Sequence, residues 1–194
     1  MTDVPIIVIA YPAEWLCLSK FQRKLHKLFS NLKQFAVLYP HDEQGLIEKT
    51  FAEDQRVLAK GLWLPMTFQP NYAVIFDDQR SLEDVKSRIS ELQIDSRHIL
   101  VKVTRIVNIE HESYDIYIGR GSGFGNPYAI GVEGDDRDEV IRKFQYDFDR
   151  DYLKDHFKRR LLAHQGKTLG CHCKPLACHG DVLATYLNSY DDGL

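Results

Sequence analysis

Short, continuous apolar runs rich in β-branched residues alternate with stretches of helical period along most of this chain. Val4–Ala10 (VPIIVIA), Phe35–Tyr39, Tyr72–Phe76 (YAVIF) and His98–Thr104 (HILVKVT) are such runs, and Ile116–Ile118 and Lys167–Cys173 are shorter ones. Runs apolar at consecutive positions suit strands buried on both faces, the environment of a parallel sheet covered by helices. Between them, Phe21, Leu25, Leu28, Phe29 and Leu32 recur at one-face helical spacing. Leu46–Gly61 reads as a helix ended by Gly61, and Ser81 as the N-cap of a helix to about Gln93, with Asp84 three residues on. Asp136–His164 reads as one long charged helix, and a last helix runs from Cys178 or Gly180 to Leu187. The expected fold is α/β: a layered domain with a largely parallel sheet. An N-terminal α/β half over residues 1–107 precedes a C-terminal ligand-binding half over 108–194, with the seam near Asn108–Ser113, and the two are compatible with one continuous domain.

Composition narrows the partners. The 194 residues are 44% hydrophobic and 27% charged, enough chain to bury a core without staples. A formal net charge of -3 excludes a global basic field, so any contact with nucleic acid needs a local patch. The candidate patch is the helix Lys20–Lys33, which carries Lys20, Arg23, Lys24, Lys27, Lys33 and His26 without an acid. Such a run serves phosphate or is simply a solvated face. Three of the four cysteines fall between Cys171 and Cys178, unlike a dispersed extracellular disulfide framework. No basic leader precedes Ile6–Ala10 and no apolar run reaches membrane-spanning length. The expectation is a cytoplasmic protein with no membrane partner, and no feature sets an oligomeric state.

Three stretches carry chemistry. In Tyr117–Tyr128 (YIGRGSGFGNPY), Gly119, Gly121, Gly123 and Gly125 alternate with other residues directly after an apolar strand. Such a loop lets the backbone approach a phosphate closely. It is neither a Walker A loop nor a G-x-G-x-x-G fingerprint, and its bland reading is a turn-making connection. As a ligand loop it offers Gly119, Arg120, Gly121, Ser122 and Gly125 to a phosphate, and Asn126 to a base or sugar. In Gly131–Phe144, Asp135 or Asp136 caps a helix and Arg137 falls in its first turn, where a cation opposes the dipole and calls for an anionic partner.

The third stretch is Gly170–Asp181 (GCHCKPLACHGD): a strand end, a loop with Lys174 beside the ligand, and a helix start. Three readings stand. Zinc would take Cys171, Cys173, Cys178 and His179, or His172, although C-x-C-x4-C-H differs from two C-x-x-C knuckles. A catalytic thiol would be Cys178, its pKa depressed by the helix N-terminus, with His179 or Asp181 beside it. Otherwise the cysteines are small apolar packers while His179 and Asp181 bind ligand. Zinc is the one cofactor suggested.

These three blocks, over Tyr117–Ala184 and so within about the last 80 residues, resemble a domain of unknown function found in bacteria and many phages. Its members read strand–GR–GNP–F, then G–R–E, then LGCWCxPxxCHGDVLA. A tryptophan is common where this chain has His172, so the resemblance removes His172 from an essential ligand set. The last block is also similar to another uncharacterised family, whose last strand ends in a cysteine and whose last helix opens with Cys-His-Arg. The resemblance implies a small ligand-binding or enzymatic domain, phage-encoded, without implying a reaction. The first 105 residues lie outside it and would complete the sheet or supply specificity.

The functional expectation is a transferase or hydrolase acting on a nucleotide, nucleoside or modified base. Cys178, His179 and Asp181 would be its catalytic residues, with His179 as the acid–base group. Phage settings for it are nucleotide metabolism, DNA base modification or removal of a host defence signal. The alternative is a non-catalytic module that sequesters a nucleotide signal, or a zinc module that binds nucleic acid.

Overall fold

The computed structural model describes residues 4–63 and 69–194. They form two compact units, Met1–Val101 with Asp191–Leu194, and Lys102–Tyr190.

The first unit runs β1 (Ile6–Ala10), α1 (Leu18–Leu28), β2 (Phe35–Tyr39), α2 (Leu46–Phe51), β3 (Val57–Leu62), β4 (Tyr72–Asp77), α3 (Glu83–Glu91), β5 (Asp95–Leu100). The strands form one sheet in the order β3-β2-β1-β4-β5, parallel throughout. Val8 of β1 registers with Leu38 and with Ala73. The continuous apolar runs are explained by burial of both faces. Val8, Ala10 and Ile75 pack with Val85 and Ile89 of α3. On the opposite face Phe21 of α1 stacks on Phe76 at 4.7 Å and meets Tyr11 edge-on at 5.5 Å. Each fully buried side chain of this size contributes about 1.5–3 kcal/mol over leaving it exposed.

Three expectations are corrected in this unit. The helix drawn over Leu46–Gly61 stops at Phe51, and Val57–Leu62 pairs with β2. Asp54 makes the turn, accepting from the Arg56 N–H at 3.1 Å. The fourth strand starts at Asp95 and stops at Leu100, before the Val101–Thr104 part of the expected run. Both strands lie at sheet edges and are mostly exposed, so neither needs the apolar run by which inner strands are read. Ser81 does not cap α3. Its N–H and hydroxyl donate to Asp78, and the cap position is Leu82 with φ +64°.

The second unit holds β6 (Arg105–Asn108), β7 (Ile116–Tyr117), α4 (Arg137–Asp149), α5 (Phe157–Leu162), β8 (Thr168–Cys171) and α6 (His179–Ser189). Its sheet is β6-β8-β7, also parallel, with β8 in the middle. Ile118, Phe144, Leu161, Leu169, Leu183 and Leu187 are fully buried in its core. Buried Asn188 near the end of α6 accepts from the Thr104 N–H at 2.7 Å and donates to the Thr104 carbonyl at 3.0 Å, which ties the helix to the entry of β6. Because β6 pairs with β8, the units divide at Val101/Lys102. The helix drawn over Asp136–His164 is two helices. Asp151, Asp155 and His156 take positive φ between them, a conformation that ends a right-handed helix.

Candidate functional site

The loop after β7, the first turn of α4, the end of β8 and the first turn of α6 converge in the second unit. Strand C-termini and helix N-termini leave unpaired backbone groups, which is why ligands of α/β sheets collect there. A pocket of ≈ 240 Å³ opens between them. Gly119, Arg120 and Asn126 line it from the glycine loop, Arg137 from α4, and Cys171, Cys173, Cys178 and His179 from the third stretch.

At its buried end the Sγ atoms of Cys171 and Cys178 and a ring nitrogen of His179 lie within 4.8 Å of one another. His179 is 5% exposed, its Nε2 2.9 Å from the Ile118 carbonyl. A carbonyl only accepts, so Nε2 carries a proton, and it is Nδ1 that bears the lone pair in the neutral ring. The Cys171 thiol is pushed down to about 5 by hydrogen bonds from the Cys178 thiol and from Cys173, against its burial. Donation to Cys171, together with burial, pushes the Cys178 thiol up. Cys178 stands at the N-cap of α6, but its thiol is raised rather than depressed as expected. Burial, then the hydrogen bond to Cys171, pushes Cys173 up, while the Arg137 guanidinium opposes this.

The other expected ligand residues divide into two groups. Gly125 is required by the loop itself: a Cβ there would stand 2.7 Å from the Gly119 carbonyl oxygen. Gly121 and Ser122 form the turn, with the Ser122 N–H on the Gly119 carbonyl and the Phe124 N–H on the Ser122 hydroxyl. Gly121, Ser122 and Gly125 do not line the pocket. Asn126 does, but its Oδ1 accepts from the Tyr128 N–H and its Nδ2 donates to the Val140 carbonyl at 3.0 Å. It braces the loop on α4.

Arg120 is exposed and has no hydrogen bond or ion pair among the described residues. Asp136 caps α4, accepting from the Glu139 N–H, while Arg137 donates to the Ala177 carbonyl at 3.2 Å. Lys174 and Asp181 bind each other, and Asp181 accepts from the Cys178 N–H at 2.9 Å. Neither lines the pocket. His172 is exposed at the rim, edge-on to Tyr117.

Sequence reasoning gave no role to Tyr117 and Tyr128, which form pocket walls. Their signal was present, since they bracket the glycine stretch. The Tyr128 hydroxyl is held by Asp147 at 2.5 Å. In the first unit, the basic helix is partly neutralised: Lys20 pairs with Asp192 and Arg23 with Asp191, each at 2.8 Å. Among the described residues no helix is long and apolar enough to cross a membrane.

Comparison with known proteins also finds two parts, whose matches overlap over residues 101–107. The minimal SLOG domain matches residues 4–107, and the domain of unknown function DUF4326 matches residues 101–189. The chain is 35% identical over 88 residues to an uncharacterised 12.4 kDa protein from the nrdA-td intergenic region of enterobacteria phage T4, covering 45% of this chain and 80% of that protein. No solved structure matches significantly. A parallel sheet over the first unit, with a family match spanning it, leads to one assignment: the chain belongs to the minimal SLOG domain family, and its residues 101–189 are similar to DUF4326.

Proposed function

We propose that this protein acts on a nucleotide or nucleoside held in the pocket of the second unit. The observation that carries the reading is convergence: three stretches far apart in sequence, around Arg120, Arg137 and Cys171–His179, line one pocket. The ligand class is supported by the first unit, since SLOG-type domains bind nucleotide-like ligands. In the pocket, Arg120 and Arg137 supply two guanidiniums for a phosphate. Tyr117 and Tyr128 supply aromatic walls for a base. At ≈ 240 Å³ the space lies below the roughly 300–1,000 Å³ of drug-sized sites. That size suits one nucleoside, with its phosphate at the open rim, better than a dinucleotide.

The buried Cys171–Cys178–His179 cluster is the reacting end, and transfer or hydrolysis at a glycosidic or phosphate bond is the chemistry it would serve. Asp181, taken up by Cys178 and Lys174, positions the helix and does not touch the ligand. Calorimetric titration of the four ribonucleoside monophosphates tests the reading. At least one should bind, and Arg120→Ala and Arg137→Ala should each weaken it about tenfold, the worth of one charged hydrogen bond. Failure of all four to bind, or full affinity in both variants, would overturn it.

A further inference from the structure

We propose that Cys171, Cys178 and His179 bind one zinc-class divalent ion through three protein ligands, leaving a fourth position that faces the pocket. Ion binding is independent of the nucleotide reading. Only the statement that the open position meets the ligand rests on it.

Geometry comes first. The three donor atoms already lie within 4.8 Å of one another, and all three residues are buried. Tetrahedral zinc with its usual bond lengths holds such donors about 3.5–3.8 Å apart, so the cluster closes around an ion with movements on the order of 1 Å.

The surroundings of each donor agree. His179 is fixed by Nε2–H donation to the Ile118 carbonyl, which frees the Nδ1 lone pair. This is the arrangement by which metal-bound imidazoles are oriented. Cys178 Sγ accepts the Gly180 N–H, and Cys171 Sγ accepts the Cys173 N–H. Backbone N–H groups aimed at sulfur stabilise bound thiolates. Charge also closes: two thiolates and a neutral imidazole around a dication sum to zero, which a buried site tolerates. Binding exchanges the Cys171 and Cys178 thiol protons for the ion and releases up to two protons to solvent. Two sulfurs and a nitrogen select zinc over magnesium or calcium.

The ligand set differs from the four expected from sequence. Cys173 falls outside the three-atom group and is hydrogen-bonded by Arg137. Three protein ligands with an exchangeable fourth position is the pattern of catalytic rather than structural zinc. All three ligands line the pocket, so that position opens into it.

The test uses the full chain purified under reducing conditions. Elemental analysis should give one zinc per chain. The metal-stripped protein should take up cobalt(II) with a thiolate-to-cobalt charge-transfer band. Cys171→Ser, Cys178→Ser and His179→Ala should each lose the metal, while Cys173→Ser keeps it and its band. Wild-type cobalt protein keeps the test decisive if a variant misfolds. No zinc and no cobalt band would overturn the proposal, as would metal retained by all three ligand variants. Loss of metal in Cys173→Ser would make the site closed and overturn the open position. Any monophosphate that binds by calorimetry should shift the cobalt spectrum, and binding without a shift overturns the open position. A cobalt band without any nucleotide binding leaves the metal site standing and removes the nucleotide reading.

Discussion

His179 owes its chemistry to one backbone atom. The Ile118 carbonyl accepts the Nε2–H hydrogen bond, which leaves Nδ1 as the ring nitrogen free to bind. Crowding near that bond should be costly. A Cβ at Gly180 would stand 2.8 Å from Ile118 Cδ1 and 3.2 Å from Cys178 Sγ. Gly180→Ala is expected to destabilise the second unit by about 1–3 kcal/mol, the usual cost of overpacking, read as a lower urea midpoint; an unchanged midpoint would contradict the packing. At this scale the sequence was legible where a residue broke a local rule. Arg137 stands where a cation opposes a helix dipole, and it does line the pocket. The lowered pKa of Cys171 was not legible, because it depends on a thiol seven positions away brought close by the Lys174–Ala177 loop. Asp181 was ambiguous in sequence, because an aspartate in the first turn of a helix reads alike as a cap or as an acid.

At the scale of elements, two devices carry predictions. The start of α6 is held by Asp181, which accepts from the Cys178 N–H. Asp181→Ala should cost about 0.5–2 kcal/mol, as lost caps do, with nucleotide affinity unchanged in calorimetry. Lost affinity at unchanged stability would make Asp181 a ligand residue instead. At the end of β4, burial raises the pKa of Asp77, but donation from His98, the Gln79 N–H and Lys86 outweighs it and holds the carboxyl below its ordinary value. A depressed folded pKa means the stabilisation is full above the unfolded value of about 3.9 and is lost as pH falls through the folded one. Asp77→Asn should therefore lower the urea midpoint of the first unit near neutrality and flatten its fall in acid; parallel pH profiles for the two proteins would contradict this. The inner strands β1, β2 and β4 were legible as apolar runs, whereas β3 and β5 were not, since edge strands with exposed faces carry no such signature.

At the scale of the whole molecule, each unit has its own sheet and core. The phage relative, at 12.4 kDa against 22.5 kDa for this chain, has room for little more than one of them. Residues 102–190 expressed alone should fold, giving a cooperative thermal transition by circular dichroism; a non-cooperative melt would contradict their independence. The alternation of strand and helix announced an α/β chain, whereas β6, only four residues long, carries too little pattern to be read as a strand. The pocket was legible in its parts and not in its assembly, since no spacing in the chain shows that Arg120, Arg137 and Cys171 meet. The most direct measurement is amide chemical-shift mapping of the full ¹⁵N-labelled chain on addition of a nucleoside monophosphate. Shifts centred on Gly119–Asn126, Arg137 and Cys171–His179 are expected. Shifts confined to the first unit, or none at millimolar ligand, would contradict a nucleotide site in the second unit.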